Sequence, residues 1–253
     1  KADFIMANPP FNQKDWRAEN QLTDDPRWNG YETPPTSNAN YGWILNMVSK
    51  LSCNGVAGFI LANGALSADG TEGAIRRKMI ERGLVEAIVI LPRNLFYSTD
   101  ISVTLWILNA NKKARVVNRN GEEIHYRDRE KEILFIDMRQ MGEPFEKKYV
   151  HFSDEDIQRV ATTYHNWQRE GYEETYANEP EFCYSASLEE VADKGYSLVP
   201  SKYIKFLNRD ETVDYETQMS ALQTELSALL KEEAESRAAV LNVFKSLGYA
   251  IEL

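Results

Sequence analysis

The sequence predicts an α/β protein, a sheet with helices packed on its faces, on three observations. Short apolar runs alternate with segments of helical periodicity, the pattern of strands joined through helices. Residues 84–91, broken only by Glu86, and residues 102–108 are almost continuously apolar, as strands covered on both faces are. From about residue 212 to 245 neither Gly nor Pro occurs, which marks a change to one long helix.

The elements follow in order. Residues 4–7 are apolar and run into Asn8-Pro9-Pro10, where proline ends ladder pairing, so a buried strand delivers a loop at that point. Residues 12–37, rich in Asn, Asp, Pro, Thr and Trp, have no clear period and read as a long surface loop, a class often functional in a compact domain. Ile44, Leu45, Met47, Val48 and Leu51 recur at helical spacing, with Asn54-Gly55 as the stop, and residues 56–62 read as a strand. A short helix over 74–82 is closed by Gly83. Asn120-Gly121 marks a tight turn, and residues 133–136 resume as a strand. Ser153, with Glu155 and Asp156, opens a helix running to Arg169, and Ser187 with Glu190 caps a shorter one. In the last segment Met219, Leu222, Leu226, Leu229, Val240, Val243 and Leu247 step by threes and fours, interrupted at Glu233 and Ser236. A division into residues 1–150, carrying the sheet, and 151–253, a helical tail ending in a docking helix, is expected.

The chain has 253 residues, 43% hydrophobic and 27% charged, which is ordinary for a soluble globular protein, and no apolar stretch is long enough to cross a bilayer. Cys53 and Cys183 stand far apart with no Cys/His cluster, so neither a disulfide framework nor a metal site is expected, and a cytoplasmic location is. The chain opens on Lys1 and runs at once into a strand, so a longer parent protein is expected. A net charge of -10 excludes nucleic-acid binding by the whole surface; any such contact must be local or shared with a partner. Arg76-Arg77-Lys78 and the stretch 112–131, with Arg115, Arg119, Arg127 and Arg129, are the candidate patches.

Asn8-Pro9-Pro10-Phe11 carries chemistry. An exocyclic adenine amine is a poor nucleophile because its lone pair is delocalised into the ring. The Asn8 side-chain oxygen and the Pro9 carbonyl each accept a hydrogen bond and remove no proton, so together they draw that pair back onto nitrogen. Consecutive prolines fix the backbone and set the carbonyl in place beforehand. Phe11 offers a flat face on which an extruded base stacks. The competing reading, a turn that ends a strand, rests on the frequency of Asn and Pro in turns.

The run Ala2-Asp3-Phe4-Ile5-Met6-Ala7-Asn8-Pro9-Pro10-Phe11 resembles the catalytic motif of N6-adenine methyltransferases, and the order downstream resembles the modification subunit of type I restriction-modification systems. Supporting segments include Ser37-Asn38-Ala39-Asn40-Tyr41-Gly42-Trp43, Leu61-Ala62-Asn63-Gly64, Leu91-Pro92-Arg93-Asn94-Leu95-Phe96-Tyr97-Ser98-Thr99 and Gly195-Tyr196-Ser197-Leu198-Val199-Pro200.

The resemblance implies part of a Rossmann-like class I methyltransferase sheet followed by a C-terminal helical region. Asn8, Pro9, Pro10 and Phe11 become the catalytic residues; Asn8, Asn40 and Tyr41 contact S-adenosylmethionine; Phe11, Phe96 and Tyr97 contact the flipped base. Core packing competes for Phe96 and Tyr97. The partners implied are DNA, a specificity subunit and a restriction subunit. Asp100-Ile101-Ser102 stands where the family usually has Gly-Ile-Pro, which alters that loop. The family's Gly-rich cofactor loop precedes the catalytic motif, and Gly70-Thr71-Glu72-Gly73 lacks its spacing, so weak or no cofactor binding by residues 1–253 alone is expected. An RNA-adenine or protein-glutamine methyltransferase is the rival enzyme, although those more often carry Tyr after the prolines. A module that mainly docks a specificity subunit is the rival from another class.

Overall fold

A computed structural model of the chain describes residues 1–97, 100–146, 148–207 and 215–248. The chain divides into two compact units, residues 1–206 and residues 207–253. The expected boundary near residue 150 is therefore displaced. Residues 151–206 belong with the sheet because they contribute a strand to it and a helix across one of its faces.

The first unit is built on six strands: β1 (Ala2–Ala7), β2 (Leu51–Ala62), β3 (Val85–Ile90), β4 (Val103–Asn109), β7 (Glu132–Asp137) and β10 (Cys183–Ser187). Their order is β1-β2-β4-β3-β7-β10. β1 is parallel to β2 and β3 to β7, whereas β4 runs antiparallel to both neighbours and β10 antiparallel to β7. β1, β2, β3 and β7 thus point the same way, and their carboxyl ends, Ala7, Ala62, Ile90 and Asp137, share one edge of the sheet. In open α/β sheets that edge is where ligands bind.

One face is covered by α1 (Asn40–Lys50), α2 (Gly70–Glu81) and α5 (Leu188–Asp193), through Tyr41, Ile44, Leu45, Ile75, Met79 and Val191. The opposite face carries α3 (Asp154–Gln168), which brings Trp167, Val160 and Tyr164 over β3 and β7. α3 opens on a capping box in which Ser153 and Asp156 satisfy each other's backbone N–H groups. A short α4 (Tyr172–Thr175) follows, and Ser187 Oγ accepts from the Glu190 N–H to start α5.

α1 ends at Lys50, and Leu51, counted above on the helical spacing, instead opens β2 with no intervening loop. Asn54-Gly55, expected as a helix stop, lies inside this strand, where a Cβ on Gly55 would approach the Ala2 carbonyl to 2.7 Å. Asn120 and Gly121, at φ 53° and 87°, turn the hairpin of β5 (Arg115–Arg119) and β6 (Glu122–Tyr126), as the dipeptide requires. A second hairpin, β8 (Glu143–Phe145) with β9 (Tyr149–His151), and the edge strand β10 have no counterpart in the sequence reading. β1 is the other edge strand; Phe4 and Met6, on the side away from Ile5 and Ala7, are 68% and 93% exposed.

The second unit is α6 (Tyr215–Ser246), 32 residues long. Residues 212–214, the start of the expected helix, lie outside the described residues. No helix among the described residues is long and apolar enough to cross a membrane.

Candidate active site

β1 delivers Asn8 to the carboxyl edge of the sheet, and Pro9 and Pro10 halt the ladder there. Pro9 is buried, and Phe11 packs partly against the apolar clusters on both faces of the sheet, so the corner is anchored on either side of its polar groups. Asn8 is exposed, and neither its side chain nor the Pro9 carbonyl is hydrogen-bonded by another described residue.

Beyond Phe11 the chain turns on Asn12, held at φ 52°. Asn40, at the start of α1, clamps that turn: its Oδ1 accepts from the Asn12 N–H (3.0 Å) and its Nδ2 donates to Asn12 Oδ1 (2.9 Å). Asn40 is 1% exposed. Tyr41 is wholly buried, and its hydroxyl donates to the Ala65 carbonyl at 2.8 Å. Burial pushes the Tyr41 hydroxyl well above the ordinary tyrosine range. The polar atoms of both side chains are thus committed inside the protein. Asn40 holds the Asn12 turn and Tyr41 the seat of α1.

The long loop over residues 12–37 contains only a 3-10 turn, Pro26–Trp28, yet it is packed. Trp16 Nε1 donates to the Pro35 carbonyl and Trp28 Nε1 to the Leu22 carbonyl, each at 2.7 Å, while Arg17 gathers the carbonyls of Ala18, Glu19, Gln21 and Pro34. Gly42 lets the Trp16 ring lie against α1; a Cβ there would meet it at 3.0 Å.

Along the same edge, Asn63 at the end of β2 donates to Ser102 Oγ and accepts from Thr104 Oγ1, tying β2 to the loop that precedes β4. That loop carries Phe96 and Tyr97. Phe96 is half-buried against the cluster that Phe11 also touches, whereas Tyr97 is 70% exposed. Asp100, the departure from the family pattern, pairs with Arg93 at 3.0 Å and so bridges the loop; both side chains are well exposed, and a pair of this kind contributes little stability. Ser98 and Thr99 lie outside the described residues.

The basic patches resolve differently from their sequence reading. Arg76 is buried and donates to the carbonyls of Tyr196 and Ala68. Lys112, Arg127 and Arg129 are buried as well. Arg129 pairs at 3.0 Å with Glu86, which lies wholly buried in β3 and also accepts from Asn109, Tyr164 and Gln168. These charges hold β3, β4 and α3 together and are withdrawn from any external ligand. Arg77, Lys113 and Arg119 remain exposed.

A Cβ at Gly64 or Gly70 would meet no protein atom within 4 Å, and Gly70 holds a positive φ of 62°. The described residues place Gly70-Thr71-Glu72-Gly73 in the first turn of α2. No group of His, Cys, Asp and Glu among them could hold a metal ion.

The family model described as N-6 DNA Methylase matches residues 1–212. The chain is 41% identical to the type I restriction enzyme HindI methylase subunit of Haemophilus influenzae, across 98% of this chain and 52% of that protein. It is 33% identical to the type I restriction enzyme MjaIX methylase subunit of Methanocaldococcus jannaschii, across 98% of this chain and 42% of that one. It thus spans about half the length of these relatives. A crystal structure of the type I restriction-modification system methyltransferase subunit from Streptococcus thermophilus superposes with a TM-score of 0.66 at 26% identity, covering 81% of this chain and 38% of that one.

Proposed function

Since this chain belongs to the N-6 DNA methylase family, we propose that the protein containing it methylates adenine N6 in DNA, as the modification subunit of a type I restriction-modification system. The observation that carries this is the exposed Asn8 beside the unengaged Pro9 carbonyl at the carboxyl end of β1. The adenine amine donates its two hydrogens to Asn8 Oδ1 and the Pro9 carbonyl, and the nitrogen recovers its lone pair. Phe11, fixed between the two apolar clusters, supports the ring of the extruded base, with Phe96 on the neighbouring loop. S-adenosylmethionine, the methyl donor the family implies, supplies an electrophilic sulfonium methyl. Its main anchorage lies outside the described residues.

The test is Asn8→Ala in the full-length protein. Removing one of two acceptors is expected to lower methylation of adenine by at least about 100-fold, measured by transfer of labelled methyl to duplex DNA. An undiminished rate would overturn the mechanism. RNA and glutamine-peptide substrates in the same assay separate the rival enzyme readings.

A second reading concerns α6 and coexists with the first. Its side chains at Leu222, Leu226, Leu229, Val240 and Val243, with Leu247 just past its end, are 53–65% exposed, an apolar seam of the kind that pairs with another helix. We assign it to the specificity subunit, whose task of reading the DNA sequence suits a partner that carries net charge -10.

A further inference from the structure

From the carboxyl edge of the sheet we infer a second aromatic site, built by the β8–β9 hairpin, that takes an unpaired DNA base beside the one held at Asn8. This rests on the DNA-methylating function proposed above.

The hairpin follows β7, and two hydrogen bonds fasten it to the loop after β3: Val150 N–H to the Asn94 carbonyl at 3.1 Å, and Tyr149 hydroxyl to the Tyr97 carbonyl at 3.4 Å. The two segments enclose a cavity of about 250 Å³ lined by Leu95, Tyr97, Phe145, Tyr149, Val150 and His151. That is below the ~300–1,000 Å³ of pockets that enclose whole small molecules, and it suits one flat ring rather than a nucleoside with its phosphates.

The walls are aromatic. Tyr97 and Tyr149 meet edge to face at 4.7 Å, and Phe145 meets His151 the same way at 5.6 Å. Tyr97 and Phe145 remain 70% and 39% exposed, so this apolar surface is not buried in the core. Lys148 Nζ lies 5.0 Å from the centre of the Tyr149 ring and sets a cation at the rim. Exposed rings with a neighbouring cation form a stacking platform for bases, tolerant of sequence because every base has a π face.

The site is distinct from the Asn8 corner. None of Asn8, Pro9, Pro10 and Phe11 lines it, so the ring it receives is a neighbour of the target on the strand and not the target.

The experiment titrates the full-length protein into a single-stranded oligodeoxynucleotide carrying 2-aminopurine, whose fluorescence falls on stacking, beside an abasic strand of equal length that reports backbone binding alone. Saturable quenching is expected. Phe145→Ala with Tyr149→Ala should weaken it about tenfold, Tyr149→Phe should preserve it, and the abasic strand should bind both proteins alike. Phe145→Leu with Tyr149→Leu keeps apolar volume without rings and should behave as the alanine pair, which guards against a merely collapsed hairpin. Unchanged quenching in the alanine pair, full binding in the leucine pair, or an abasic strand bound as tightly as the base-bearing one would overturn the inference. A wild-type protein that methylates no adenine yet shows ring-dependent quenching would sink the proposed function and leave this site standing.

Discussion

At the scale of single residues, the distinction between touching a ligand and holding the group that does so decides several assignments. Asn40 stands where family resemblance places a cofactor contact, yet both ends of its amide are spent on Asn12 and almost none of it meets solvent. Asn8, four residues before that clamp, is exposed with its oxygen unengaged. Asn40→Ala leaves the Asn12 N–H without its acceptor. It is expected to cost about 1–3 kcal/mol of stability, read by chemical denaturation, and to lower turnover because the corner loses its downstream support. The affinity for S-adenosylmethionine in the full-length protein should change less than twofold; a tenfold loss would return Asn40 to the role of cofactor ligand.

Secondary elements show where charge is used internally. A lone Glu in an apolar strand costs too much to bury unless it is paired. Glu86 meets this condition through Arg129, Asn109, Tyr164 and Gln168, which join β3 to the ends of β4 and α3. Close by, Lys112 donates to the carbonyls of Val85 and Glu132, and desolvation pushes its ammonium down to about 8. An unfolded lysine titrates near ~10.4. Below pH 8 both states hold the proton and the burial penalty is complete. Above it only the unfolded chain does, so stability rises with pH by up to about 3 kcal/mol between 8 and 10.4. Tyr164, whose hydroxyl burial pushes upward, opposes this above about pH 10. Denaturation of wild type at pH 7.5 and 9.5 should show the rise, and Lys112→Met should flatten it; equal slopes in the two proteins would remove Lys112 as the cause.

For the molecule as a whole, the unsatisfied surfaces indicate where further contacts form. β1, the strand that ends at Asn8-Pro9-Pro10, sits at one edge of the sheet with Phe4 and Met6 largely uncovered. Natural edge strands are usually shortened, charged or covered. The apolar seam of α6 is the second such surface. Replacing Leu222, Leu226 and Leu229 by Glu should abolish capture of the specificity subunit in a co-purification while circular dichroism and methyl-donor affinity stay as in wild type; retained capture would dismiss α6 as the docking helix.

Local chemistry made much of this protein readable in its amino-acid order. The Asn-Pro-Pro corner, the Asn120-Gly121 hairpin, the Ser153 and Ser187 caps and the strands at β3 and β7 depend on interactions within a few residues, or on a short-range apolar period, and each is found where the sequence places it. The pairing of β4 with β2, the late return of β10 to pair with β7, and the burial of Arg76, Lys112, Arg127 and Arg129 depend on partners far along the chain, among them Glu132 for Lys112, 20 positions away, and Tyr196 for Arg76, 120 away. A cationic run written on one line looks the same whether it faces solvent or a buried carboxylate. Only the folded chain, by bringing Glu86 to Arg129 and leaving Asn8 in the open, determines which polar groups are consumed in holding the structure and which remain for a ligand.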